Sequence, residues 1–131
     1  MTPDIHPVKT YIRQGNAISM LIPDDAAAVI DSGSKTGHYE PMGLFISQEM
    51  IEIPGVGEVP IYIAMDNSTY DCWTEEFFSL TVAEKWLIGM YECVEDAMAS
   101  DLRYMTWVHR DNFEAIRWIR ERYKPYCGGA R

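Results

Sequence analysis

The stretch Gly43-Leu44-Phe45-Ile46-Ser47-Gln48-Glu49-Met50-Ile51-Glu52-Ile53, continued by Pro54-Gly55-Val56-Gly57, Val59-Pro60-Ile61-Tyr62-Ile63-Ala64-Met65, Asp66-Asn67-Ser68-Thr69-Tyr70-Asp71 and Cys72-Trp73-Thr74-Glu75-Glu76-Phe77, decides the fold. Its apolar runs are rich in β-branched and aromatic residues, and clusters of Pro, Gly, Asn, Asp and Ser between them reverse the chain. Three runs and two turns predict an antiparallel meander. In the first run Phe45, Ser47, Glu49 and Ile51 fall on one side and Leu44, Ile46, Gln48, Met50 and Glu52 on the other, mixed faces that leave the register open. Pro60 stands near the start of its strand, where a missing amide hydrogen costs least.

Upstream, residues 8–13 and 17–22 alternate around Gly15-Asn16 and predict an N-terminal hairpin that Pro23 ends. Asp24 or Asp25 is placed to cap a short helical turn over 26–30, and residues 31–37 have loop composition. Downstream the period changes to that of a helix. Thr81 and Glu84 have the Thr-x-x-Glu spacing of a capping box. At about 100° per residue, Val82, Trp86, Met90, Cys93, Val94, Ala97 and Met98 share one face, while Glu84, Glu92, Glu95 and Asp96 gather opposite. Asp101 falls in the middle of the apolar face, so the helix is expected to stop or bend near 99–101. Ser100 or Asp101 would then cap a shorter segment through Leu102, Met105 and Val108, with a strand over residues 104–108 as the alternative that periodicity alone does not exclude. Asp111 with Glu114 repeats the cap spacing before a last helix, from 112 to about 124, predicted to bury Phe113, Ile116, Ile119 and Tyr123. Pro125 and Gly128-Gly129 close it and leave a frayed tail. The expected fold is therefore α+β: an antiparallel sheet, meander plus hairpin, packed against two or three C-terminal helices.

Length and composition agree. The chain of 131 residues, 47% apolar, suits a single α+β domain over 1–131 with a core of its own. Twenty acidic against 11 basic residues leave a net charge of −9, a sign that repels phosphate backbones, so direct nucleic-acid binding is not expected. The charge is also divided: residues 1–102 carry 4 basic and 17 acidic side chains, residues 103–131 carry 7 basic and 3 acidic. Such a split is either internal, a basic last helix docking on an acidic body, or external, two faces offered to partners. Cys72, Cys93 and Cys127 lie far apart with no Cys-x-x-Cys pair and read as free thiols of a reducing compartment. The first seven residues lack a basic start leading into an apolar core, and no run nears the roughly 18 apolar residues of a membrane helix. A cytoplasmic location, without a membrane partner, is expected.

Several motifs spell chemistry without its spacing. Gly33-Ser34-Lys35-Thr36-Gly37 has the letters of a phosphate-binding loop, but Ser34 stands where the glycine before the lysine belongs and no glycine lies five residues upstream of it. His109-Arg110-Asp111 matches the start of a kinase catalytic loop in a chain about half the length such a domain needs. His6, His38 and His109 share no ligand-like spacing with each other or with the cysteines, so no metal site is expected. Cys93 on the apolar helix face reads as inert core, and the helical carboxylates are too exposed for acid–base work. No catalytic residue and no cofactor are assigned.

What remains are surfaces. Glu84, Glu92, Glu95 and Asp96 form a candidate recognition face for a basic partner. Trp118, away from Phe113, Ile116, Ile119 and Tyr123 on its wheel and one turn from Arg122, is either an outward interface anchor or half of a local cation–π pair. An alternative site is a pocket between sheet and helices lined by Tyr62, Trp73, Trp107 and His109, which would suit a small ligand or an enzyme. Ile88 on the acidic helix face would be buried between identical chains in a homo-oligomeric accessory protein.

Residues 61–87, from Ile61-Tyr62-Ile63-Ala64-Met65 through Asp66-Asn67-Ser68-Thr69-Tyr70-Asp71-Cys72-Trp73 to Ala83-Glu84-Lys85-Trp86-Leu87, resemble a strand–turn–strand–helix unit in small uncharacterised proteins of phages and plasmids. In those proteins a glycine usually follows the Asn-x-Ser/Thr, at the position of Tyr70 here. The resemblance implies a structural unit in which Trp73 and Trp86 close a helix onto a hairpin, and it brings no functional residues. In size and charge the chain also looks like anti-CRISPR proteins. That likeness implies a non-enzymatic inhibitor from a phage or mobile element, acting in the bacterial cytosol on a basic host protein or ribonucleoprotein complex. A carboxylate-rich surface competes there with the phosphates that a Lys/Arg groove attracts.

Overall fold

The computed structural model describes residues 4–127. Its elements follow in the order β1 (Lys9–Arg13), β2 (Asn16–Leu21), α1 (Pro23–Ser34), β3 (Gly43–Ile53), β4 (Gly57–Asn67), β5 (Trp73–Phe77), α2 (Leu80–Leu87), α3 (Val94–Val108) and α4 (Phe113–Cys127). The five strands form one sheet in sequence order, antiparallel at every junction except β2–β3, which is parallel because α1 carries the chain back across the sheet. The α+β class is as expected.

Helices cover both faces. On one, Ala26 and Val29 of α1 pack with Leu21, Phe45 and Met65. On the other, α2, α3 and α4 bury Val82, Trp86, Met98, Met105, Ile119 and Tyr123 against Ile18, Ile46, Ala64 and Phe77. Alternation along β3 thus sends Phe45 to α1 and Ile46 to the C-terminal helices. Neither β2 nor β5 reaches the distal half of β3–β4, since they pair with residues 44–47 and 62–66 only. Two-stranded ribbons twist more strongly than wide sheets, and this one brings Ile53 and Ile61 into the core beneath the C-terminal helices. Its turn rests on the start of α4: Asn112 Nδ2 donates to the Gly55 carbonyl at 3.0 Å. A β-carbon at Gly55, whose φ is +83°, would stand 2.6 Å from Glu114 Oε1.

Several boundaries differ from expectation. α1 is a full helix through Ser34 rather than a turn over 26–30. Ser32 and Ser34 hydroxyls donate to the carbonyls of Val29 and Asp31, and Gly33 lets the Tyr39 ring lie where a side chain would be. The cap of α2 is Ser79, which accepts from Val82 N at 3.3 Å, and Thr81 is exposed. The break falls at Ile88–Gly89, with Gly89 at φ +79°, not at 99–101. α3 then runs unbroken through 104–108. Asn112 rather than Asp111 caps α4, accepting from Ala115 N, and Pro125 lies inside that helix. The expected frayed tail lies outside the described residues. Tyr70 takes φ +65°, the left-handed conformation that glycine adopts most easily.

Candidate partner-binding surfaces

The expected acidic face is divided by the break after α2. Glu84 is buried: Tyr11 donates its hydroxyl to one carboxylate oxygen, and Arg13 lies 3.6 Å from the other. Burial, then the bond to Glu84, pushes the Tyr11 hydroxyl above its usual range. Glu84 fastens β1 to α2 and does not belong to an exposed face. Glu92, in the loop, and Glu95 and Asp96, in the first turn of α3, are exposed, and no basic side chain lies within ion-pair distance of them among the described residues. The positive end of the helix dipole favours carboxylates there. Cys93, expected in the core, is exposed and precedes α3. Ile88, expected on the acidic face, is half-buried against the core of its own chain.

Trp118 and Arg122 turn inward. The Trp118 ring meets Phe78 edge-on at 6.2 Å, and the Arg122 guanidinium sits 5.3 Å from Phe78 and 5.9 Å from Trp118. Arg122 also donates to Glu76 Oε1 at 2.7 Å. Their contacts are those of the local cation–π pair. A cleft of about 390 Å³ opens beside them, between β5 and the end of α4, lined by Thr74, Glu75, Glu76, Arg122 and Tyr126 among others. The other proposed pocket does not assemble. Trp73 packs edge-on against Trp86 at 5.3 Å, and exposed Trp107 is stacked by Arg110 at 4.0 Å. His109 lines a shallow depression with Val59, Pro60, Phe78 and Tyr104, of which Tyr62, Trp73 and Trp107 are not part.

A surface that periodicity misassigned lies on α4. Phe113, expected in the core, is 91% exposed. It shares one open depression with Ile116, Arg117, Arg120 and Glu121. Arg117 and Arg120 have no ion-pair partner among the described residues, whereas Lys124 pairs with Glu121. The available signal was angular: Phe113 is the first residue of α4, two residues before Ala115, and at about 100° per residue it lies roughly 120° round the helix from the centre of the buried Ala115–Ile119–Tyr123 stripe, so it points off the core.

Buried polar groups elsewhere hold the scaffold. Asp101, fully buried, accepts from the backbone amides of Phe78 and Ser79, at 2.8 Å each, and from the Tyr123 hydroxyl. Desolvation outweighs these donors and lifts its carboxyl above the usual 3.8. Asn67 bridges two loops, donating to the Tyr39 and Pro41 carbonyls and accepting from Cys72 N. Among the described residues no three His, Cys, Asp or Glu side chains group as metal ligands, and no helix is long and apolar enough to cross a membrane. Compared with known proteins, the chain matches no family model, no curated protein and no solved structure.

Proposed function

We propose that this chain is a non-enzymatic protein-binding domain that acts by covering a partner's surface. The partner class is a nucleic-acid-binding host complex, and the mode is that of the anti-CRISPR-like inhibitors of phages and mobile elements. The observation that carries the reading is Phe113, almost wholly in water beside Ile116, Arg117 and Arg120. Burying a Phe side chain is worth about 1.5–3 kcal/mol, so an aromatic left outside the core beside two unpaired arginines fits an interface anchor. Glu92, Glu95 and Asp96 supply the carboxylates that would compete for a Lys/Arg groove. The roles first assigned to Glu84, Trp118 and Arg122 pass to these residues.

The test is inhibition of target binding by reconstituted CRISPR effector complexes, with a lysate pull-down run with and without added nucleic acid. Wild-type protein should suppress target binding. Phe113→Ala should weaken this about tenfold or more, the scale of one anchor residue. Reversing Glu92, Glu95 and Asp96 to Lys should weaken it further and flatten its salt dependence. Unchanged inhibition by both variants, or no inhibition by the wild type of any complex tried, overturns the reading.

A further inference from the structure

β1 is an edge strand, paired with β2 alone in the sheet. Its turn is the two-residue Gln14-Gly15, with φ +48° and +81°, and Arg13 faces Asn16 across it. A two-residue turn of this kind is closed by a hydrogen-bonded pair. Alternation then makes Tyr11–Ile18 hydrogen-bonded and Thr10–Ser19 and Ile12–Ala17 non-hydrogen-bonded. The 3.2 Å contact between the Thr10 and Ser19 hydroxyls fits that closer class of pair. The backbone amides and carbonyls of Thr10 and Ile12 therefore point away from β2, off the edge of the sheet.

Charged side chains commonly guard such edges. Here both have turned to the side of the C-terminal helices: Arg13 toward Glu84, and Lys9 over the Tyr11 ring at 5.5 Å. Thr10 and Ile12 alternate to the other side, where β1 carries no charge. Ile12 is 68% exposed and Val8, just before the strand, 66%.

We propose that β1 pairs antiparallel with β1 of a second copy about a two-fold axis at Thr10, joining two five-stranded sheets. Only registers centred on Thr10 or Ile12 match the outward backbone groups. A register centred on Tyr11 is out of phase and would set Lys9 opposite Arg13. Centring on Thr10 sets Thr10 against itself, a favourable cross-strand pair, and brings the Ile12 side chain level with Val8 of the second copy; the Val8 amide stays bonded to the Met20 carbonyl at 2.9 Å, so the backbone bonds of the pairing come from Thr10 and the Ile12 amide. Centring on Ile12 would run the pairing into the turn. A five-residue edge buries far less than the ~800 Å² per partner of a standard interface, so the dimer is concentration-dependent.

Sedimentation velocity of the full chain over a dilution series tests this. The expected result is a species of twice the 15.0 kDa chain mass that dissociates on dilution. Ile12→Lys should abolish it, as should Thr10→Pro, which removes an amide that β2 does not use. Circular dichroism and melting of Ile12→Lys should stay native, and Phe113→Ala should leave the dimer intact, so this surface is separable from the one under Proposed function. A wild-type monomer at every soluble concentration overturns the proposal. So does a dimer that survives Ile12→Lys or is lost in Phe113→Ala.

Discussion

Asp101 shows how one polar residue on an apolar stripe can hold four elements together. From α3 it receives the amides at the β5–α2 junction and the Tyr123 hydroxyl of α4. Asp101→Ala would strand three buried donors, and leaving such groups unpaired costs about 1–3 kcal/mol each before relaxation or entry of water. We expect a loss of about 3 kcal/mol or more in unfolding free energy from urea titration. The carboxyl also makes stability depend on pH. Its folded pKa lies above its unfolded value, so its contribution is complete below the ordinary carboxylate range and is lost as pH rises through the folded value. Asp101→Asn cannot titrate. The stability of the wild type relative to this variant should therefore fall from acid toward neutral pH, and a difference independent of pH would show that desolvation does not dominate at this site.

Elements are bounded by contacts that local patterns do not contain. The meander and N-terminal hairpin were legible because two-residue periodicity and Pro/Gly/Asn turns are local signals, and the strands fall where those signals put them. The helical half was less legible. The capping-box spacing at Thr81 and Glu84 was a coincidence: Ser79 caps α2 and Glu84 is spent on Tyr11 and Arg13 from a strand some seventy residues earlier. Asp101 looks like a helix stop in the sequence because its partners, Phe78, Ser79 and Tyr123, come from elsewhere in the chain. Phe113 joins the apolar stripe only if the wheel is centred near Ile116; the face that tertiary packing buries, Ala115–Ile119–Tyr123, is centred roughly 120° away from Phe113. The second half of α1 has loop-like composition, although Gly33 is required by packing, as a β-carbon there would lie 2.2 Å from the Tyr39 ring. Gly33→Ala should therefore destabilise, despite its better helix propensity, by about 1–3 kcal/mol. Ser79→Ala should cost about 1 kcal/mol for the lost cap. Thermal melts of the two variants, with Thr81→Ala as an unaffected control, would check both.

At the scale of the whole molecule the divided charge is only partly used internally. Arg122–Glu76 joins α4 to β5 and Arg13–Glu84 joins β1 to α2, while Arg117 and Arg120 pair with nothing among the described residues. Most carboxylates, including the directly opposed Glu52 and Glu58 of the β3–β4 ribbon, likewise have no basic partner among the described residues. Self-repulsion at a net charge of −9 should then exceed the gain from a few surface pairs, each worth at most about 1 kcal/mol. Added monovalent salt should raise the melting temperature, because screening over a Debye length of about 8–10 Å weakens repulsion among exposed carboxylates more than the half-buried pairs. Reversing Arg117 and Arg120 to Glu deepens the net charge to −13 without breaking an ion pair. That variant should melt below the wild type at low ionic strength and approach it at high, as followed by calorimetry at fixed protein concentration. A wild-type melting temperature that falls with salt would mean that attraction between the acidic body and the basic helices dominates. The arginines of α4 would then be satisfied within the molecule, leaving less charge for a partner to meet.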